Sequence, residues 1–345
     1  MVAGDEMTPY ERVMAAITRR KTDRIPVVPC AAAMAIRQAG HKYRDMLDDP
    51  DGFVRCQVKM LRDTGVDALF DLATSATIAE ALGAPLRILD DDPPVCDEPL
   101  LKSFNGIADL EFPAIRARAR VPYFLDVISR LKRAVGPQVP VVALGAPPFR
   151  LAAVLRGAQS FYKDLIRNPE EAAILVEKCT PPAMEYALAA VDAGADVIWI
   201  PDPMSGATVI SRKHYERFNL PYVARVFDVL RKTGVKVLFH ACGDWHDRLD
   251  LLADLVDGIH LAAEADLAEV KRKFGDRATL MGNIKSVDVM LLGTAQDCED
   301  AAITCFEQAA LDGGFILSPD CGVPPATPRE NLCALVEASK RWALR

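Results

Sequence analysis

The stretch LFHACGDWHD, residues 238–247, sets an imidazole and a thiol two positions apart, at the end of an apolar run and just before a glycine. Alternate residues of an extended strand point to the same side. His240 and Cys242 are therefore expected to project together from the C-terminal end of a strand. A second thiol, Cys321, stands in an equivalent place, because GFILSPDCGVPP is another apolar run that ends in a loop. One imidazole and two thiolates suit zinc, which favours nitrogen and sulfur donors. Three protein donors leave a fourth position open, the arrangement of a catalytic rather than a structural zinc site. A substrate thiol entering that position would lose its proton to the field of the metal. The same residues also fit a plain core reading at the ends of strands, and spacing alone leaves both open. His246 reads as a surface residue and His260 as a satisfied histidine inside the sheet.

For these donors to meet, the runs that carry them must end on one face. Eight short, nearly continuous apolar runs lie at 25–29, 68–72, 139–144, 196–200, 235–240, 258–261, 279–282 and 314–318. Parallel strands buried on both faces read this way. Helical patterns fall between them, at 170–193, 212–232, 267–274 and 297–311. The alternation predicts an α/β fold, a single (β/α)8 TIM barrel over residues 1–345, whose active-site face is formed by the C-terminal strand ends. A doubly wound open sheet is the alternative, but no G-x-G-x-x-G follows the first run. The Pro- and Asp-rich stretch 84–106 interrupts the pattern and reads as a small β-hairpin insertion after the second strand, with a surface loop at 90–94. Thr8-Pro9-Tyr10-Glu11, Asn168-Pro169-Glu170-Glu171 and Thr327-Pro328-Arg329-Glu330 read as capping boxes with proline at the first helical position. The first of them opens an N-terminal helix.

Composition narrows the function classes. The 345 residues carry a formal net charge of -7 and no stripe of Lys and Arg, which argues against a nucleic-acid partner. No apolar run reaches the length of a membrane span. Residues 1–6 lack a basic and apolar leader pattern, so a cytoplasmic location is expected. The nine cysteines are odd in number and scattered, which argues against a disulfide framework. Cys298 and Cys305, seven apart on a predicted helix, read as core.

The opening MTPYERVMAAITRRKTDRIPVVP, the FHACG pair, TLMGNIKSVDVMLLGT and the ending GGFILSPDCGVPPATPRENLCALVEASK resemble the uroporphyrinogen decarboxylase superfamily over nearly the whole chain. Within it they look most like the zinc-dependent branch of methylcorrinoid:coenzyme M methyltransferases and corrinoid-linked O-demethylation enzymes. Decarboxylases carry an Asp where this chain has Thr74, and Asp71, three residues earlier, is out of register. They also carry His in a Gly-His-Gly where this chain reads Asp320-Cys321-Gly322. Arg37, in an RQAG that echoes a decarboxylase arginine motif, reads as an ordinary helix residue.

The resemblance implies a (β/α)8 barrel with Zn2+ on His240, Cys242 and Cys321. It implies methyl transfer between a small molecule, as thiol acceptor or methoxylated or methylated donor, and the cobalt of a corrinoid. No D-x-H-x-x-G corrinoid motif occurs in the chain, so a methylcobalamin-type corrinoid is expected on a separate corrinoid protein. Asp202 and Glu264 are candidates for orienting substrate or completing the metal shell, with a supporting role favoured over ligation. Asn283, at a Gly-Asn strand end shared with the family, is the third candidate catalytic residue. A homodimer is allowed for. The competing functions are metal-free porphyrinogen decarboxylation and a catalytically silent zinc- or corrinoid-binding protein.

Overall fold

A computed structural model describes residues 6–344; of the N-terminal stretch read above for a leader, residues 1–5 lie outside the described residues. The N-terminal helix Pro9–Ile17 starts as the sequence predicts. Glu11 N–H donates to Thr8 Oγ1 at 3.2 Å, and Thr8 N–H donates back to Glu11 Oε2 at 2.8 Å. The other two predicted capping boxes do not form. Asn168 does precede helix Pro169–Asp192, but its side chain donates to Asp164 Oδ1 at 2.8 Å instead of capping. The last helix, Arg329–Ala343, begins one residue late, with Pro328 at the cap position.

Seven strands follow in chain order: β1 (Leu69–Phe70), β2 (Val141–Leu144), β3 (Val197–Asp202), β4 (Lys236–Ala241), β5 (Gly258–Leu261), β6 (Thr279–Ile284) and β7 (Phe315–Pro319). They form one sheet in sequential order, every pairing parallel. The eighth predicted strand, 25–29, is reduced to a single parallel bridge between Val27 and Leu317. Pro26 and Pro29 have no N–H to give, so the segment cannot sustain a ladder. It still joins the two edges of the curled sheet. Val28 N–H donates to Leu317 O, Leu317 N–H to Pro26 O, and Asp67 N–H to Val27 O, at 2.9, 2.9 and 2.8 Å.

Asp67 fixes this junction from below. Its buried carboxylate accepts from Arg12 Nη1 (2.6 Å), Arg24 Nη1 (2.8 Å), Arg24 Nη2 (2.9 Å) and Val27 N (2.8 Å). One acid thus binds the N-terminal helix, the 25–28 segment and the approach to β1.

Two predicted elements are corrected. The stretch 212–232 is two helices, Arg212–Phe218 and Leu220–Thr233, because Pro221 restarts the helix just after Asn219. Of the hairpin predicted in 84–106, a single antiparallel bridge forms, Arg87 with Val95. Residues 91–93 are exposed there, as expected of a surface loop. Cys298 and Cys305 are buried on helix Ala295–Ala309. Among the described residues no helix is long and apolar enough to cross a membrane.

Candidate metal centre

Parallel strands deliver their C-terminal ends to one face, and His240 is the penultimate residue of β4. Cys242 comes one residue after the strand, where its N–H turns back to the His240 carbonyl at 3.1 Å. Cys321 lies two residues beyond β7. One ring nitrogen of His240 and the two sulfurs all lie within 4.8 Å of one another. Tetrahedral zinc at ordinary bond lengths sets such donors about 3.5–3.8 Å apart, so the three are within reach of a single ion.

The imidazole is prepared for that task. His240 Nδ1 faces the His260 carbonyl at 3.4 Å, while its buried Nε2 has no hydrogen-bond partner. A proton on Nδ1 leaves the Nε2 lone pair free, which is how a carbonyl partner orients a metal-binding histidine. Trp199 of β3 stacks on the ring, with centroids 4.9 Å apart and planes 16° from parallel.

His260 is fully occupied, as the sequence reading expects. Its Nδ1 accepts from Trp199 Nε1 at 3.2 Å and its Nε2 donates to Pro319 O at 2.8 Å. Burial and the neighbouring His240 push its pKa well below the ordinary histidine value, so it is neutral. It also ties β5 to the end of β7, two residues before Cys321. On the other side of that turn, Cys321 N–H donates to Ser286 Oγ at 3.2 Å, and Ser286 N–H and hydroxyl both donate to Asp320. His246 is exposed.

The two thiols act as a pair. Cys321 is drawn down to about 4, first by its hydrogen bond with Cys242 and then by His240. Cys242 is pushed up by the same bond and by burial. Two paired sulfurs beside a buried ring nitrogen with no hydrogen-bond partner make a donor set that a divalent cation would complete.

The remaining predicted residues fall around this centre rather than in it. Asp202, the last residue of β3, is buried and spent on its own strand end. It accepts from Met204 N (2.9 Å), Ser205 Oγ (2.5 Å) and Asn219 Nδ2 (2.7 Å). Asn283 donates to Ala262 O and Ala265 O, at 3.1 and 3.0 Å, and so holds the loop that carries Glu264. Glu264 is exposed and shares a groove of about 580 Å³ with Cys321, but it is not one of the clustered donors. Arg37 is exposed on helix Ala32–Gln38.

Sequence reasoning missed Arg150, just after β2, whose Nη1 donates to Pro201 O at 3.2 Å. Burial disfavours its charge, and Asp202, Cys242 and Cys321 are the groups that act back on it. The available signal was a basic residue in the first turn of a helix that follows a strand.

Thr74 is a helix cap: its Oγ1 accepts from Ala76 N at 3.2 Å. Asp71 is the acid nearest that place. Its Oδ1 accepts from Leu144 N at 3.1 Å, its Oδ2 is buried without a partner, and burial raises its pKa to about 8. A native pKa above the unfolded value of about 4 means that the folded state keeps a proton the unfolded chain has released. The contribution of Asp71 to stability therefore falls as pH rises from about 4 to 8. Asp71→Asn removes this dependence and keeps an acceptor for Leu144. In urea titrations the variant is expected to gain on the native protein through that window and to be the more stable at pH 9. Parallel pH profiles for the two proteins would exclude the effect.

A ring nitrogen and two sulfurs at the mouth of a curled parallel sheet belong to a recognisable class. The chain is a member of the uroporphyrinogen decarboxylase (URO-D) family, whose description matches residues 8–342. It is 29% identical to the methylcobamide:CoM methyltransferase MtaA of Methanosarcina barkeri, over 98% of this chain and 99% of that protein. It is 27% identical to the uroporphyrinogen decarboxylase of Coxiella burnetii, over 97% of this chain and 96% of the relative. The solved structure of a methyltransferase from Methanosarcina mazei superposes with a TM-score of 0.89 at 25% identity, covering 98% of this chain and 99% of the other.

Proposed function

We propose that this protein is a zinc-dependent methyltransferase that moves a methyl group between a small molecule and the cobalt of a corrinoid carried by a separate protein. The observation that carries the reading is the partnerless, buried Nε2 of His240 beside two sulfurs within 4.8 Å. The likeness to a methylcobamide:CoM methyltransferase over nearly the full length of both chains supports it. Residues 1–345 are taken as one catalytic domain, and its location as cytoplasmic.

A zinc ion held by His240, Cys242 and Cys321 supplies Lewis acidity, which lowers the pKa of a substrate thiol or polarises the oxygen of a methoxylated donor. The chain's own residues prepare the site. The His260 carbonyl fixes the His240 tautomer, and the Trp199 ring covers one face of the imidazole. The His260–Pro319 and Ser286–Asp320 contacts hold the turn that presents Cys321. Asp202 positions the end of β3 beside β4, and Asn283 holds the loop of Glu264 against the groove. Thr74, tied up as a cap and unable to supply a carboxyl group, speaks against the decarboxylase alternative.

Two measurements test the reading. Elemental analysis is expected to find about one zinc per chain, and chelation to remove it without loss of the helical circular dichroism, as for a catalytic rather than a fold-forming zinc. Methylcobalamin mixed with enzyme and thiols, or Co(I) corrinoid with enzyme and methoxylated donors, is expected to show enzyme-dependent interconversion of methyl-cobalt and Co(I). Unfolding on chelation, or consumption of uroporphyrinogen with no change at cobalt, would overturn the proposal.

A further inference from the structure

Arg150 is an outlier among the arginines of this chain. Among the described residues the three buried ones are all matched: Arg12 and Arg24 to Asp67, and Arg248 to Asp247. Arg150 is half-buried, yet among the described residues no carboxylate lies within ion-pair distance of it. Its one hydrogen bond, to Pro201 O, uses one of five guanidinium N–H donors. Asp202, the nearby acid, is already committed to Ser205, Asn219 and Met204. Arg150 also sits in the first turn of helix Pro148–Arg156, where the helix dipole opposes a positive charge. A cation held against both burial and dipole, with free donors, is poised for an anion that the protein itself does not provide.

Its position says where that anion would lie. Pro201 is the register partner of His240 across β3 and β4. The backbone that anchors the guanidinium therefore lies one strand, about 4.8 Å, from that of a candidate metal ligand. Arg150 also lines a cleft of about 520 Å³, a size ordinary for small-ligand sites. Leu89, Pro94 and Val95 from the 84–106 excursion make one apolar wall, and Val154 continues the Arg150 side. Asp92 sits at the exposed rim.

We propose that Arg150 and this cleft bind a small organic anion, with its carboxylate or sulfonate on the guanidinium and an apolar body against Leu89, Pro94, Val95 and Val154. This deepens the methyltransferase reading and rests on it for the role of the anion as methyl donor or acceptor. The binding itself needs no metal.

Calorimetry on the full chain tests it with matched probes, in zinc-loaded and metal-stripped protein. 4-Methoxybenzoate is set against 4-methoxybenzyl alcohol, and 3-mercaptopropionate against 2-mercaptoethanol. The preferred pair identifies the anion as a methoxylated donor or a thiol acceptor. At least one anion is expected to bind about tenfold or more tighter than its neutral partner, the scale of one charge-assisted hydrogen bond. For the methoxylated pair the preference is expected in both metal states. Arg150→Gln is expected to erase it and Arg150→Lys to restore part of it. Val154→Glu, which puts a carboxylate one helical turn from Arg150 in the same cleft, is expected to abolish anion binding with the arginine itself left in the chain. No anion preference in the native protein, or a full preference retained in Arg150→Gln or in Val154→Glu, overturns the proposal. Zinc content measured on the same samples keeps the two ideas apart: an anion preference without zinc fells only the zinc reading, and zinc without the preference fells only the cleft.

Discussion

Cys242→Ala is expected to empty the metal centre and to lower methyl transfer by about 100-fold or more, a barrier increase of about 2.7 kcal/mol, while thermal unfolding stays where it was. Cys242 stands just past the end of β4 and is half-buried, so its loss opens no large cavity. It does remove one of three donors, and it leaves Cys321 without the partner whose hydrogen bond draws its thiol down. Cys298→Ala is the matched control, a thiol buried on the outer helix Ala295–Ala309 and far in function from the centre. That variant is expected to keep its zinc and its activity and to lose some stability. Metal analysis, a methyl-cobalt assay and a melting curve on both variants decide the matter. Full zinc and full turnover in Cys242→Ala would mean that the cluster of His240, Cys242 and Cys321 is not the reactive centre.

Much of this centre was legible in the sequence because strand signals are local. β4 and β7 announce themselves as short apolar runs, and parallel strands must bring their ends to one face. His240 and Cys242 do project together, as period-two alternation predicts, but not along one extended strand. Cys242 leaves the strand in a turn rather than extending it. What escaped was whatever depended on a partner distant in sequence. The surroundings of Arg150 are of this kind: its hydrogen bond runs to Pro201, 51 residues away, and the nearby Asp202 is held by Asn219. Similarly, the 25–29 run has the hydrophobicity of a strand, but its two prolines limit it to a bridge. The Asn168 and Thr327 motifs match a capping box in letters, but Asn168 turns back to Asp164 one helical turn earlier and the last helix starts after Pro328, which leaves the Thr327 hydroxyl without a partner.

The largest stability effect is expected at Asp67. Truncation to alanine takes one carboxylate partner from Arg12, which keeps Asp23, and takes from Arg24 the carboxylate that accepts both of its Nη groups. Removing one partner of a buried ion pair costs about 3–5 kcal/mol, because the remaining charge has lost water and gained nothing in return. For a domain of ordinary stability that is a large fraction of the total. The damage should also reach the metal centre. Asp67 Oδ2 accepts the Val27 N–H, Val27 bridges to Leu317, and Leu317 is the centre of the strand that delivers Cys321. Asp67→Ala is therefore expected to lower the urea midpoint by an amount corresponding to about 3–5 kcal/mol, and to weaken zinc retention even under conditions where the variant is folded. Asp67→Asn, which keeps one acceptor oxygen, should fall between the two proteins on both measures. A midpoint for Asp67→Ala within about 1 kcal/mol of the native protein would show that the arginines find other partners and that the closure of the sheet does not depend on this acid.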